Sequence, residues 1–535
     1  MYLGKRHHRV HSCCVRPSPL LLFINSDCSV YGHSALARAG KSVVHVDRNA
    51  YYGGPQASLT STDLRAWLTE HANQDFINDN NKKDDRIRRY SQVEVTGDIM
   101  AAMKSGSVDL HPRWLLCQSE MVKVLVDSNV GQYLEFKLIP CSYVRDLEGD
   151  RWQRVPHRKE DVFLDAHIDV LTKRKLMRFL QHLQATSEED SKNPELYKGQ
   201  EHTRTRTETF AEHLQSQFKL DKPWQQHVIG HALGLLPRAL HTYTPEEGLD
   251  QVRRYLASIG RYGPGALLFP LYGTSELCQA FARLSAVYGG IYILRHPGLE
   301  MTFEKDSRCT GIKVQEGEHS ACFEAKHVVS TLDRPHVPGW TTQRRIARCI
   351  VLHKRPIYVG GVQPQVEKES DHAPDPPHIF ILPATLTRQT VFLFQTDTQL
   401  GQAPADTFIT YMWTHLDDTH QESAKSILEP IVRPFFEETL AVLYFTEHVY
   451  PAASFTNAVH VCPRTGVHYI ADMSPDRMDM DEAVAVARHV YADLMHQMDS
   501  SAGDVPPFLP APPNPDDDLL VQTYLKDTTE VPGNE

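Results

Sequence analysis

The chain has 535 residues, 41% of them hydrophobic, and a formal net charge of -11. That length supports a large core and two domains, and the acidic balance excludes the basic field that non-specific nucleic-acid binding needs. No apolar stretch reaches the roughly 18 residues of a membrane span, and the 10 cysteines are scattered, with only Cys13 and Cys14 adjacent, as in a reducing compartment.

The segment Met1 to Pro19 is basic, rich in His and Cys, and without periodicity, so it reads as an irregular tail. Its His7, His8, His11, Cys13 and Cys14 have metal-ligand chemistry but not the closed four-ligand spacing of a structural zinc site. Leu20 to Ile24 is a short buried-strand pattern, too short for the apolar region of a signal peptide. Ala35 to Ala39 predicts a helix stopping at Gly40, and Ser42 to Asp47 predicts a β-branched strand. Strand, helix, strand opens a parallel α/β unit.

A polar insertion, densest from Asn73 to Arg89, occupies about residues 73–110. Leu115 to Leu134 and Asp161 to Leu183 have helical apolar spacing; in the second, Leu176, Phe179, Leu180 and Leu183 share one face. Residues 150–255 as a whole read as a mostly helical insertion. Residues 20–150 and 256–500 are then the two parts of one discontinuous α/β domain. Arg261 to Pro297 mixes loop and strand signals around a short helical piece, and Glu482 to Met495 predicts another helix. Residues 501–535 form a proline-rich acidic tail, read as extended and loosely held. The terminal Val531-Pro532-Gly533-Asn534-Glu535 carries no prenylation cysteine. The expectation is a cytoplasmic protein without a lipid of its own.

The chemistry-bearing motifs are few. Asp47, an acid ending a second strand, occupies the place of a ribose-binding residue. That reading needs a glycine-rich turn after the first strand. Here the stretch Ile24-Asn25-Ser26-Asp27-Cys28-Ser29 has no glycine, and Asp27 would repel a pyrophosphate. Asp47 is better read as bonding its own loop. His227 and His231 have the spacing of a zinc-protease helix, but Val228 stands where the catalytic glutamate is required. They read as packing histidines. No phosphate-binding lysine motif, nucleophile elbow or calcium loop is present, so the residues name no catalytic group, cofactor or metal site.

Two segments set aromatics and paired glycines beside charges. One is Asp47-Arg48-Asn49-Ala50-Tyr51-Tyr52-Gly53-Gly54. The other runs from Pro270-Leu271-Tyr272-Gly273-Thr274-Ser275-Glu276 through Phe281-Ala282-Arg283-Leu284 to Tyr288-Gly289-Gly290. Both closely resemble the two most specific motifs of the superfamily of Rab escort proteins and Rab GDP-dissociation inhibitors. A third family block lies at Tyr133-Leu134-Glu135-Phe136-Lys137, preceded by Gln132 where the family often has arginine. The chain's length, its polar insertion before Trp114, the Pro510-Ala511-Pro512-Pro513-Asn514-Pro515-Asp516 segment and Gly290 to His296 look escort-like.

The resemblance implies a flavoprotein-like (Rossmann-type) α/β domain that has lost its cofactor, plus the helical insertion. It implies a non-catalytic role: binding GDP-bound Rab GTPases, unprenylated and prenylated, with transient membrane contact, and docking to the Rab geranylgeranyltransferase heterodimer. The Rab-facing residues it implies are Tyr52, Glu276 and Arg283, with Ile291 and Ile293 at the rim. The insertion is expected to shelter the prenyl chains, with Leu176, Phe179, Leu180 and Leu183 as candidate walls. Thr209-Phe210-Ala211-Glu212 resembles the escort helix that meets the transferase, with Phe210 as an exposed anchor. A GDP-dissociation inhibitor and a flavin-dependent oxidoreductase are the alternatives.

Overall fold

The computed structural model describes residues 21–24, 29–72, 89–146, 151–156, 161–162, 169–192, 208–296, 299–304, 308–316, 319–331, 344–357, 359, 377–384, 389–416, 422–452, 458–498 and 505–511. The tail cluster at 7–14, the 25–28 turn and the densest part of the polar insertion lie outside them.

Leu21–Ile24 forms the centre of a six-stranded sheet. It pairs in parallel with Val43–Val46 on one side and His327–Ser330 on the other. Ile291–Ile293 extends the sheet beyond Val43–Val46, and Val467–Ile470 beyond His327–Ser330. Such parallel strands are covered on both faces, so every side chain of Leu21–Ile24 is buried. The helix Ser29–Arg38 stops before Gly40 and packs between the helices Ser275–Val287 and Asp481–Met498. Ser34 Oγ donates to the Phe281 carbonyl at 2.7 Å, fixing the first two together.

A second, eight-stranded sheet has the order Tyr90–Gly97, Thr439–Val449, Arg344–His353, Phe408–Leu416, Val391–Thr396, His378–Leu382, Cys141–Asp146, Arg151–Arg154. Its strands alternate between two cores. Ile346, Ile350 and Leu352 face the helical insertion, while Ala347, Cys349 and Val351 face the helix Ala424–Phe435. The strand Arg151–Arg154 carries this sheet past residue 150, so the insertion begins later than the expected boundary.

The insertion comprises the helices Val170–Lys192, Phe210–Phe218, Pro223–His227 with a π-helical continuation through Leu233, and Pro245–Ser258. Two further expectations are corrected in detail. Leu115 to Leu134 is not one helix: Leu115–Leu116 is a strand, Glu120–Asp127 is capped by Ser119 Oγ accepting from Val122 N–H, and Val130–Tyr133 is a 3-10 turn. Part of the proline-rich tail is held, because Leu509 is buried and Phe508 meets Tyr491 edge-on at 5.5 Å between ring centres. No helix among the described residues is long and apolar enough to cross a membrane.

Charge ties the layers. Arg254 of the insertion bonds Asp479 at 3.0 Å and Asp481 at 2.5 Å, and the Arg238 guanidinium lies 3.0 Å from the Asp476 carboxylate as an ion pair. Within the large sheet, buried Glu447 accepts from Arg348 at 2.5 Å and Arg89 at 3.1 Å, with His111 at 3.6 Å. Burial opposes its charge, but the two guanidinium groups and His111 hold its carboxyl well below the usual range. Glu447→Ala strands Arg348 without its carboxylate. Breaking such a pair costs about 3–5 kcal/mol, to be read as a fall in the urea midpoint with unchanged slope.

Candidate functional site

The helix Ser275–Val287 buries Leu277, Cys278, Phe281 and Leu284 and leaves Glu276, Gln279 and Arg283 on the other side. These stand at i, i+3 and i+7, one stripe of the helix. Gln279 donates to Glu276 Oε1 at 3.1 Å. Burial and the nearby Asp109 push the Glu276 carboxyl up. The Arg283 guanidinium lies 4.5 Å over the Tyr133 ring, a cation–π contact that holds the charge flat on the surface.

The helix leads through Tyr288-Gly289-Gly290 into the edge strand Ile291–Ile293. Ile291 is 49% exposed, while Tyr292 and Ile293 are half-buried. Tyr52 stands against Tyr292 with ring centres 5.2 Å apart. Thus the aromatic-glycine block near residue 50 reaches the strand that follows the Glu276–Arg283 helix. The third block joins from below: Leu271 N–H donates to the Glu135 carbonyl at 2.9 Å, and Phe136–Ile139 pairs with Leu267–Pro270.

The turn that starts the helix is built around Asp109, a residue singled out by no motif. Its Oδ1 accepts from Ser58 Oγ at 2.5 Å and Gln402 Nε2 at 2.9 Å. Its Oδ2 accepts from Thr274 N at 3.0 Å and Thr274 Oγ1 at 2.7 Å. Burial raises its pKa to about 6 despite those four donors. Gly273 sits at φ +105°, and a Cβ there would come within 2.4 Å of Asp109, Gln402 and Ser58, so only glycine closes this turn. Tyr272 beside it is held at φ +66° yet is 57% exposed, its ring over Gly401. A tyrosine in that conformation costs about 1 kcal/mol or more and marks a side chain aimed outward by its surroundings. Tyr272 belongs to the same surface as Glu276.

Asp47 behaves as a loop-bonding residue. Its Oδ1 accepts from Asn49 N–H at 2.8 Å, it is buried, and burial lifts its pKa to about 7. Arg295 N–H donates to Asn49 O, and His296 N–H to Asp47 O, so the chain after Ile291–Ile293 closes over this strand end. His227 and His231 stack at 5.3 Å. His231 contacts the Leu236 carbonyl at 2.6 Å and Thr390 Oγ1 at 3.2 Å, and burial lowers its pKa to about 3. They are packing histidines, joining the insertion to the large sheet.

The insertion residues sit elsewhere. Leu176, Phe179, Leu180 and Leu183 are all buried in one cluster with Leu214 and Phe218; Phe179 meets Phe218 edge-on at 5.0 Å. Phe210 is fully buried, its ring where a Cβ on Gly248 would lie 2.4 Å away. The exposed anchor expected at 210 is therefore corrected: Thr209 and Glu212 cap the helix as a capping box, turning Phe210 inward.

With this geometry in place, the comparisons are direct. The family described as GDP dissociation inhibitor matches residues 26–363. The chain belongs to that family. A Drosophila melanogaster protein named Rab proteins geranylgeranyltransferase component A is 26% identical over 489 residues, 90% of this chain and 88% of its own. Rab GDP dissociation inhibitor beta of Canis lupus familiaris is 31% identical, over 53% of this chain and 56% of its own. Among solved structures, a Rab GDI from Plasmodium falciparum superposes with TM-score 0.62 at 18% identity, covering 89% of this chain and 98% of its own. A Methanosarcina mazei oxidoreductase superposes with TM-score 0.52 at 12% identity, covering 89% and 99%. These likenesses establish the flavoprotein-like α/β fold. Among the described residues, the Asp47 carboxylate at the end of the second strand is engaged by its own loop through Asn49 N–H rather than left open.

Two buried histidines lie directly behind this surface. His33 and His45 face each other at 5.6 Å, and His45 stacks on Tyr292 at 4.2 Å. Burial drops the His33 pKa from 6.5 to about 3. The unfolded chain binds a proton there first, so stability is full above the unfolded pKa of 6.5 and is lost as pH falls towards 3. The slope for one such group is about 1.4 kcal/mol per pH unit. Replacing His33 by Phe should flatten the acid limb of a profile of unfolding free energy against pH, taken from chemical denaturation, by that amount; an unchanged limb would show that His33 is not held neutral. Separately, Asp109→Asn sets an amide among four donors and should cost about 1–3 kcal/mol, seen by chemical denaturation.

Proposed function

We propose that this chain is a Rab escort protein, the accessory component of Rab geranylgeranyltransferase. It binds newly made, GDP-bound Rab on the surface of Tyr52, Tyr272, Glu276 and Arg283, with Ile291 and Ile293 at the rim. It presents the Rab C-terminus to the transferase heterodimer and releases the prenylated product to a membrane. The observation that carries the reading is the convergence of three blocks far apart in sequence: Tyr52 on Tyr292, Arg283 on Tyr133, and Leu271 on Glu135. A surface serving only the fold has no use for a tyrosine held outward at positive φ.

The chain itself carries out no covalent step on this reading. Rab recognition is electrostatic and aromatic, with one acid and one base on a single helix stripe. Presentation raises the effective concentration of the Rab tail at the transferase, which needs no motif of its own around the cysteines. The prenyl chains are sheltered by parting of the helices that now bury Leu176, Phe179, Leu180 and Leu183.

Recycling of prenylated Rab by a GDP dissociation inhibitor is the second reading. The match to the fly component A spans 90% of this chain, against 74% for an Arabidopsis thaliana guanosine nucleotide diphosphate dissociation inhibitor and 53% for the canine one, which favours the escort. A pull-down with GDP-bound Rab, both unprenylated and prenylated, and the transferase heterodimer decides between them. An escort captures both; an inhibitor captures prenylated Rab and leaves the transferase behind. Capture of neither overturns both readings. Arg283→Glu should weaken Rab binding by about tenfold or more, equal to about 1.4 kcal/mol, with an unchanged melting curve. Phe210→Ala should instead lower stability by about 3–5 kcal/mol, and with it both partners together.

A further inference from the structure

We infer that the outer face of the N-terminal turns of the helix Val170–Lys192, from Val170 to Arg178, is a docking surface for an anionic lipid bilayer. The helix has two unlike faces. Thr172, Leu176, Phe179, Leu180 and Leu183 point into the core. On the opposite side Val170 and Leu171 are 68% and 63% exposed, two of the most exposed large hydrophobics among the described residues. One and two turns further, Arg174 and Arg178 are exposed on the same side.

Along its first three turns, Val170 to Arg178, the local charges leave this face cationic; the acidic residues Glu188, Glu189 and Asp190 lie further on, in the last turns of the helix. The carboxylates beside it are already engaged: Asp169 caps the helix by accepting from Thr172 N at 2.9 Å and lies 3.5 Å from Lys222, and Asp221 bonds Lys175 at 2.7 Å. Arg174 and Arg178 form no ion pair among the described residues. This is a positive patch on a chain of net charge -11.

The occupant is decided by shape as well as sign. An acidic protein would be recognised by fixed partners in a pocket, whereas here two aliphatic tips stand clear of the surface beside long cationic side chains. Aliphatic tips entering the boundary region, with arginine stems lying along it and their heads among anionic headgroups, is the arrangement of an interfacial helix. Each arginine near such a surface strengthens binding by about fivefold. The total is weak, as a protein that must also leave the membrane requires. The inference extends the delivery step of the proposed function, but its test does not depend on Rab.

The full chain is mixed with sucrose-loaded vesicles of phosphatidylcholine, with and without about 30% phosphatidylserine, and sedimented. Binding is expected only to the anionic vesicles, and it should fall as salt rises from about 0.1 to about 0.5 M. The double variant Arg174→Glu, Arg178→Glu and the variant Leu171→Asp should each lower the bound fraction, the first by about tenfold or more. Their melting curves and GDP-bound Rab affinity should not change. Equal binding to both vesicle types, no binding by the unaltered chain, or full binding by the double variant would overturn the proposal. So would loss of transferase capture by that variant with vesicle binding intact, which would make the face a protein-docking surface. Absence of Rab binding in the unaltered chain would remove the escort reading and leave the vesicle result standing.

Discussion

The surface proposed for Rab recognition depends on one buried carboxylate. Asp109 accepts four hydrogen bonds from donors that come from three places: the strand after the paired glycines, the turn that starts the helix Ser275–Val287, and the loop of the large sheet that carries Gln402. A carboxylate is the side chain that offers acceptors alone, so it can gather hydroxyl, amide and backbone N–H groups without conflict. Burying its charge without a cation is costly, which is why its pKa stays high. In return the position of Thr274, and with it the direction of Glu276 and Arg283, is fixed against both sheets. Gly273 is the steric half of the same constraint. Without a Cβ the turn closes onto Asp109, and the strain appears one residue earlier, on outward-facing Tyr272.

What the sequence made legible was local or shared with relatives. The short strands at 21–24 and 43–46, the helix between them and the helix at 481–498 follow from apolar runs and stop signals that lie within a few residues. The Asp47 loop and the His227–His231 pair were also readable, because each lacked a partner that chemistry would demand. The eight-stranded sheet was not readable. Both faces of strands such as Val391–Thr396 are buried, so no alternation shows, and Cys141–Asp146 pairs in parallel with His378–Leu382 across more than two hundred residues. Asp109 had no signal either, because its donors are distant in sequence. Phe210 was misread for a simpler reason. The Thr209–Glu212 capping box was in plain view, but the glycine at 248 that opens space for the ring belongs to another helix.

The tight packing of the insertion bears on how a prenyl chain could be held. Leu176, Phe179, Leu180, Leu183 and Phe210 already cover one another, so a guest must replace those contacts rather than fill a void. Apolar burial is worth about 25 cal/mol per Å² on either side of that exchange. Insertion of a lipid therefore substitutes one covered surface for another, and the net gain is far smaller than the area alone would suggest. That near-balance is what a carrier needs, since a bilayer offers the same burial and can reclaim the lipid.

The helix Val170–Lys192 brings both sides of that exchange together. On the proposed function its inner face is the wall that parts for a lipid, and its outer face carries Val170, Leu171, Arg174 and Arg178. A helix is stiff along its length, so a displacement of the inner face is a displacement of the outer one. On that proposal, contact of the outer face with anionic headgroups would act on the same element that is proposed to retain the lipid. The coupling needs no separate relay: differential affinity of the surface for the open and closed positions of one helix is sufficient to shift the balance between holding and release.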